Sequence, residues 1–388
     1  MSAPAAYLDH ASASPLDPRV LEEMLPFLGP RFGSPGSLHD LAREPAAAVE
    51  RARERVADLI GARPDEVVFT SGATESRNLA VAGLLSANRG LGRHAAASAV
   101  EHPATLAALR AAAREGGALD LAGVDAQGRI VAGALAAAVG PRTALVAIVH
   151  GQPDVGTLQD VPALIAAARA ARPDVRVVVD AGATAGLVPV DVRAWGADAV
   201  VLGGGPIGAP PWTGALWVRP GARLRPLIAG GLQEAGKRAG AENVPGIVAL
   251  GAAAAIARDE AADRLALIRA REERLLEGLL AVPDVRLNGP REGRIPGHVH
   301  LSAGWVEGES LTLALAADGV AVAAGSACTA YAAKGSPVLE AMGLSAPWTQ
   351  SSILLSLRHT TTDEEVDRAV AAFASCVERL RRMSPLAP

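Results

Sequence analysis

Residues 143–149 read Thr143-Ala144-Leu145-Val146-Ala147-Ile148-Val149, an apolar run of strand length with no polar alternation. A strand without a polar face is covered on both sides, as in the parallel sheets of α/β proteins. The surrounding sequence repeats the theme. Residues 175–179 and 198–202 are further strand-length, mostly apolar stretches, and a helical pattern at 161–172 stands between the first two. Upstream, a strand at 66–70 enters the small-residue turn Ser71-Gly72-Ala73-Thr74-Glu75 and then a helix at 76–85. Strands at 95–100 and 119–121 enclose a helix at 103–114, and helices at 18–28 and 44–60 precede them all. This alternation predicts a large α/β domain, with a mostly parallel sheet of seven-stranded type flanked by helices.

The pattern changes after residue 245. A long helical stretch at 247–280 carries Arg258, Asp259, Glu260, Arg269 and Glu272 on one side. Strands at 298–301 and 320–323 follow, then a strand at 352–356 and a closing helix at 362–382. Thr362 with Glu365 three residues later forms a capping box at the start of that helix. The organisation expected is an N-terminal arm (1–15) packing with the small domain, a large α/β domain (16–250), and a smaller α+β C-terminal domain (251–388) that carries Cys328.

Composition removes several classes of function. Of 388 residues, 50% are apolar and the net charge is −4, which excludes a disordered chain and a nucleic-acid binder driven by bulk charge. The longest uncharged apolar stretch, 244–257, is shorter than the ~20 residues of a bilayer span, and no membrane partner is expected. The start MSAPAAYLDHAS lacks the basic-then-apolar pattern of a signal peptide. Two cysteines, Cys328 and Cys376, argue against a disulfide framework and suit a reducing cytoplasm. Only two of the 37 basic residues are lysines, Lys237 and Lys334.

Several local patterns carry chemistry. Gly203-x-Gly205-x-x-Gly208 matches a dinucleotide fingerprint in form, but Pro206, Pro210 and Pro211 forbid the helix it requires. His298 and His300 share one face of a strand; two ligands alone make a weak metal site, and a structural role is the better reading. Ser71-Gly72-Ala73-Thr74 before a helix reads equally as a phosphate cradle or an ordinary cap. Asp180 ends an apolar strand, where a parallel sheet opens its ligand crevice, or else caps a loop. His102 ends another strand. Cys328, in Ala324-Gly325-Ser326-Ala327-Cys328-Thr329, suits an exposed reactive thiol, and Cys376 in the last helix suits packing.

In this order, the pieces resemble the cysteine desulfurases of the class V aminotransferase group, which have the pyridoxal-phosphate fold type I. The likeness runs from Tyr7-Leu8-Asp9-His10-Ala11 through Phe32-Gly33-Ser34-Pro35, Phe69-Thr70-Ser71-Gly72-Ala73-Thr74-Glu75, Glu101-His102-Pro103, Val179-Asp180-Ala181, Arg238-Ala239-Gly240-Ala241-Glu242-Asn243 and Gly325-Ser326-Ala327-Cys328-Thr329 to Ser351-Ser352-Ile353. The resemblance implies that Asp180 would pair with the cofactor's ring nitrogen, His102 would stack on the ring, and Ala73 with Thr74 would hold its phosphate. Cys328 would be the persulfide cysteine. It also implies a homodimer, with a heterodimer with an active paralogue or a sulfur-acceptor protein as the alternative.

The chain departs from that family's pattern where the chemistry is made. By that resemblance, Leu202-Gly203-Gly204-Gly205-Pro206-Ile207-Gly208 stands where the family carries its imine lysine, the downstream Thr213-Gly214-Ala215-Leu216-Trp217-Val218-Arg219 matches the family without a gap, and Pro206 falls at the lysine position. Proline has no amine. Pro153 replaces the usual asparagine, Ala183 a glutamine, Ala241 the neighbouring subunit's threonine and Leu354 the arginine that clamps the substrate carboxylate. Neither lysine of the chain falls at the imine position. The expectation is a catalytically degenerate homologue acting as a binding or partner subunit in sulfur metabolism, in which any pyridoxal phosphate is bound without a covalent link. The alternatives are a persulfide carrier through Cys328 and a desulfurase or related lyase that uses the cofactor non-covalently.

Overall fold

The computed structural model describes residues 6–325 and 335–384; Cys328 and Lys334 lie outside them. The run 143–149 is the strand Thr143–Val149, buried along its whole length. Its side chains divide by parity. Val146 and Ile148 join one core, with Val177, Val179, Val200 and the helices Arg43–Leu59 and Val244–Asp259. Leu145 and Ala147 join another on the opposite face, with Val178, Val201, Leu216 and the helix Ala73–Ala87. Period-two alternation is present in space and invisible in sequence because both faces are apolar.

The large sheet has seven strands, in the spatial order Val67–Thr70, Gly214–Val218, Ala199–Gly203, Arg176–Asp180, Thr143–Val149, His94–Ser98 and Ala118–Ala122. Gly214–Val218 runs antiparallel to both its neighbours, and the remaining pairs are parallel. The carboxyl ends of Ala199–Gly203 and Arg176–Asp180 therefore open on one edge, beside the amino end of Ala73–Ala87.

A second sheet orders Ala323–Ala324, Ser352–Ser356, His298–Ala303 and Val285–Leu287, all antiparallel. Its core gathers Leu275, Leu279, Val299, Leu301, Leu315, Phe373 and the fully buried Cys376. Ala6 and Leu8 belong to this same core, because Ala6–Tyr7 pairs in parallel with Val320–Ala321. The closing helix Asp363–Met383 starts on the capping box: Thr362 Oγ1 accepts from Glu365 N, and Glu365 Oε2 accepts from Thr362 N.

Several elements differ from their sequence reading, and the strands Gly214–Val218 and Val285–Leu287 and the helices Ala132–Ala138 and Gly308–Ala317 have none. The helical stretch 247–280 is two helices, Val244–Asp259 and Ala261–Leu280, separated at Glu260 (φ −103°, ψ 10°). Each follows its own core: Ile247 and Leu250 pack into the large domain, Leu275 and Leu279 into the small one. The stretch 320–323 divides at Val322, its two ends pairing with different sheets. The helix read from residue 76 begins three residues earlier, at Ala73.

Candidate functional site

The two domains meet over the carboxyl edge of the large sheet, around a cleft of about 510 Å³. Glycines let the backbone close in beneath it. Gly72, at φ 138°, turns the strand Val67–Thr70 into the helix, a conformation that side-chain-bearing residues avoid. A Cβ at Gly203 would stand 2.5 Å from the carbonyl oxygen of Gly182.

Asp180 and His102 reach this edge as the sequence indicates, and Ala73 and His102 line the cleft. Thr74 is exposed and does not line it. Pro206 lies on the wall, in the single turn Gly205–Ile207, and Pro153, Ala183 and Leu354 line the same space. Four of the substituted positions thus converge on one cavity, whereas Ala241 is exposed and outside it. Lys237 does not line it either. His300 is occupied elsewhere: its Nδ1 faces Asn288 Nδ2 at 3.0 Å and its Nε2 faces the carbonyl of Gly325 at 2.8 Å.

The floor holds a residue that sequence reading missed. Arg77 Nε donates to Asp180 Oδ2 at 2.6 Å and Arg77 Nη2 to Oδ1 at 3.1 Å, a two-pronged ion pair with both partners buried. The N–H of Gly182 adds a bond to Oδ1 at 2.9 Å. Burial opposes the Asp180 charge, but Arg77 outweighs it and holds the carboxyl below its ordinary range. Arg77 was overlooked because an arginine early in a helix is usually solvated. The signal was available: Arg77, Ala80, Val81 and Leu84 stand at i, i+3, i+4 and i+7, and all four are buried.

His102 is neutral here. Burial, and then the charge of Arg77, push it down to about 4, with Asp180 opposing. Its Nδ1 accepts from Ala104 N at 3.0 Å, so the ring proton of the neutral form lies on Nε2. His150, against Trp195 and beside Thr184 Oγ1 at 2.8 Å, is also pushed down to about 4 by burial. At the helix start, Glu75 already occupies the turn: Oε2 accepts from Ser71 N at 2.7 Å and Oε1 from Arg238 Nε at 3.0 Å.

A second unanticipated arginine, Arg358, enters from the small domain just after the strand Ser352–Ser356. It lines the cleft and is 7% exposed. Its Nε donates to Ser14 Oγ at 3.2 Å and its Nη2 to the carbonyl of Gly205 at 2.8 Å, one residue before Pro206. In sequence it follows an apolar strand and precedes His359-Thr360-Thr361, which reads as a solvated turn, and nothing local marks it as buried.

Comparison with known proteins agrees with this architecture. Residues 6–369 match the aminotransferase class-V family. The chain is 37% identical over 382 residues to a protein named cysteine desulfurase IscS 1 from Archaeoglobus fulgidus, covering 98% of this chain and 99% of that one. It is 40% identical over 384 residues to cysteine desulfurase IscS from Anaeromyxobacter dehalogenans, covering 98% and 94%. Among solved structures, a NifS-like protein superposes with a TM-score of 0.91 at 30% identity, over 97% of this chain and all of that one. A structure titled SspA in complex with cysteine superposes with a TM-score of 0.81 at 28% identity, over 92% and 100%. Membership implies pyridoxal phosphate as the group this fold was built around. The chain belongs to the aminotransferase class-V family, as a cysteine-desulfurase-like protein of sulfur metabolism.

Proposed function

We propose that this protein is a degenerate member of the family, in which the fold and cleft persist while cysteine desulfuration through pyridoxal phosphate does not. The observation that carries the reading is the Arg77–Asp180 pair. A cofactor ring nitrogen brought to Asp180 would meet a guanidinium already paired with that carboxylate. One buried carboxylate compensates one buried cation; a second beside it is repelled at a few ångströms. Pro206 supplies no amine for a covalent link, and Leu354 supplies no fork for a substrate carboxylate. The residues present do not fit pyridoxal phosphate.

The test is a pyridoxal-phosphate titration followed by absorbance, then a cysteine-to-sulfide assay on the same sample. No cofactor-dependent band and no sulfide are expected. A bound chromophore together with sulfide release overturns the reading.

The protein would then act as a binding or partner subunit. Large apolar side chains stand exposed in two stretches, including Leu28, Phe32 and Leu38 in one and Trp212, Leu227 and Leu232 in the other. Trp212 also lines the cleft, so a partner seated there would border the site. A homodimer is the occupant we favour, and an active paralogue or a sulfur-acceptor protein is the alternative. Sedimentation of the isolated chain distinguishes them, since a monomer at all concentrations rejects the homodimer.

A persulfide carried on Cys328 and received from a donor remains compatible with the retained Gly325-Ser326-Ala327-Cys328-Thr329 segment. Persulfide labelling that is unchanged in Cys328→Ala rejects it.

A further inference from the structure

Arg358 is a buried cation without a counter-ion among the described residues. None of its nitrogens lies within ion-pair distance of a carboxylate among the described residues, and its two hydrogen bonds go to a hydroxyl and a carbonyl. A guanidinium carries five N–H groups, so three have no acceptor among the described residues. The acids on its outer side are already matched. Asp17 and Glu260 are bonded by Arg19 and Arg264: Arg19 to both, and Arg264 to Glu260 at 2.7 Å and Asp17 at 3.5 Å. Two acids meet two arginines there, and Arg358 is the surplus charge.

On the cleft side, Asp180 of the floor is paired with Arg77, and the other acid among the described lining residues is Asp154. It makes no ion pair with Arg358, and burial pushes its carboxyl up to about 6. His10 and His298 also face the cleft. Burial first, and then Arg358, drive them to about 4 and about 3, so both are neutral at physiological pH. Burial, and then Arg264, lower Arg358 itself only to about 10, which leaves it charged. An isolated buried charge is costly unless something compensates it.

We propose that Arg358 is the anchor of a small-oxyanion site, taking a short-chain organic carboxylate or a phosphate ester into the cleft beside the Gly205–Pro206 turn. An oxyanion supplies the missing negative charge and accepts the free N–H groups in the two-pronged geometry that a guanidinium favours. Leu187, Leu354, Leu357 and Pro296 give the rest of the ligand an apolar wall, and the cavity is of the size that holds small molecules. The position is not the one Leu354 vacates. It lies four residues on, held by the arm residue Ser14 and the carbonyl of Gly205. The proposal does not depend on whether pyridoxal phosphate binds, because it concerns Arg358, which makes no contact with the Arg77–Asp180 pair.

The test uses the full chain without added cofactor, by calorimetric titration and thermal shift, at constant ionic strength made up with chloride. Propionate and inorganic phosphate are the probes. Saturable binding of either, at least about tenfold weaker in Arg358→Leu and Arg358→Gln and partly kept in Arg358→Lys, supports the site. Which probe binds tells the carboxylate from the phosphate source. Arg358→Gln keeps hydrogen-bonding capacity toward Ser14 and Gly205, and near-ultraviolet dichroism verifies that each variant folds. No saturable binding of either probe by the parent protein, or equal binding by Arg358→Gln, overturns the proposal.

Discussion

The floor and the wall of the cleft each bury an arginine, and they treat it in opposite ways. On the floor, Arg77 meets Asp180 through two hydrogen bonds and the charges cancel. On the wall, Arg358 meets only neutral oxygen atoms among the described residues. A buried pair contributes little net stability but is costly to break, whereas a buried lone charge is costly as it stands. The same side chain is therefore a closed contact at one end of the cavity and an open valence at the other.

Four experiments press on that contrast, in falling order of effect. Removing half of the floor pair with Asp180→Ala strands Arg77 and is expected to cost about 3–5 kcal/mol in chemical denaturation. The double change Arg77→Leu with Asp180→Leu should recover most of that loss, and additive losses in the double variant would break the contrast. On the wall the sign reverses. Arg358→Leu removes an uncompensated charge and should raise stability by about 1–2 kcal/mol, with the exposed Gly205 turning its carbonyl to water.

Histidine titration sharpens the comparison. His10, His298 and His102 are all held below the ordinary histidine value, so the unfolded chain takes up protons that the native one refuses. Their contribution is fully present above about pH 6.5 and is lost as the pH falls toward about 4 for His10 and His102 and about 3 for His298. In Arg358→Leu the ring-proton resonances of His298 and His10 should titrate higher, by on the order of one unit or about 1.4 kcal/mol each, while His102 stays put. A shift of all three would mean that the two ends are not independent. The smallest effect is a control remote from both: Thr362→Ala should cost about 1 kcal/mol through the lost helix cap and leave the histidine titrations unchanged.

Much of the architecture is legible in the one-dimensional pattern because strands buried on both faces are apolar without alternation, and helices between them are periodic. The boundaries of 103–114, 143–149 and 352–356 coincide with the observed elements. The kink at Glu260 is not legible, since helical periodicity continues through it and only the existence of two separate cores requires the turn. The division at Val322 fails for a related reason: pairing partners lie far away in sequence. Of the site, the substituted positions could be read from motif order. The two buried arginines are harder, because arginine identity alone says nothing about burial. Arg77 was recoverable from its place on an apolar helix stripe. Arg358 depends on the approach of Ser14 and Gly205, two segments distant in the chain.

The short N-terminal strand has a consequence in time. Ala6 and Leu8 fill the core of the small domain, the N–H of Tyr7 donates to Glu365, and Ser14 holds Arg358. During synthesis this arm emerges before everything it packs against, and it must wait until the last helix has been made. The large sheet has all its strands by residue 218 and can condense first. The wall of the cleft is thus the last part to assemble, and closing it pays the loop entropy of nearly the whole chain. A truncation of the first fourteen residues would leave the core of the large domain intact while opening the core of the small domain and disabling the cavity, so fragments or fusions that alter the amino end report on the cleft and the small domain rather than on the large sheet.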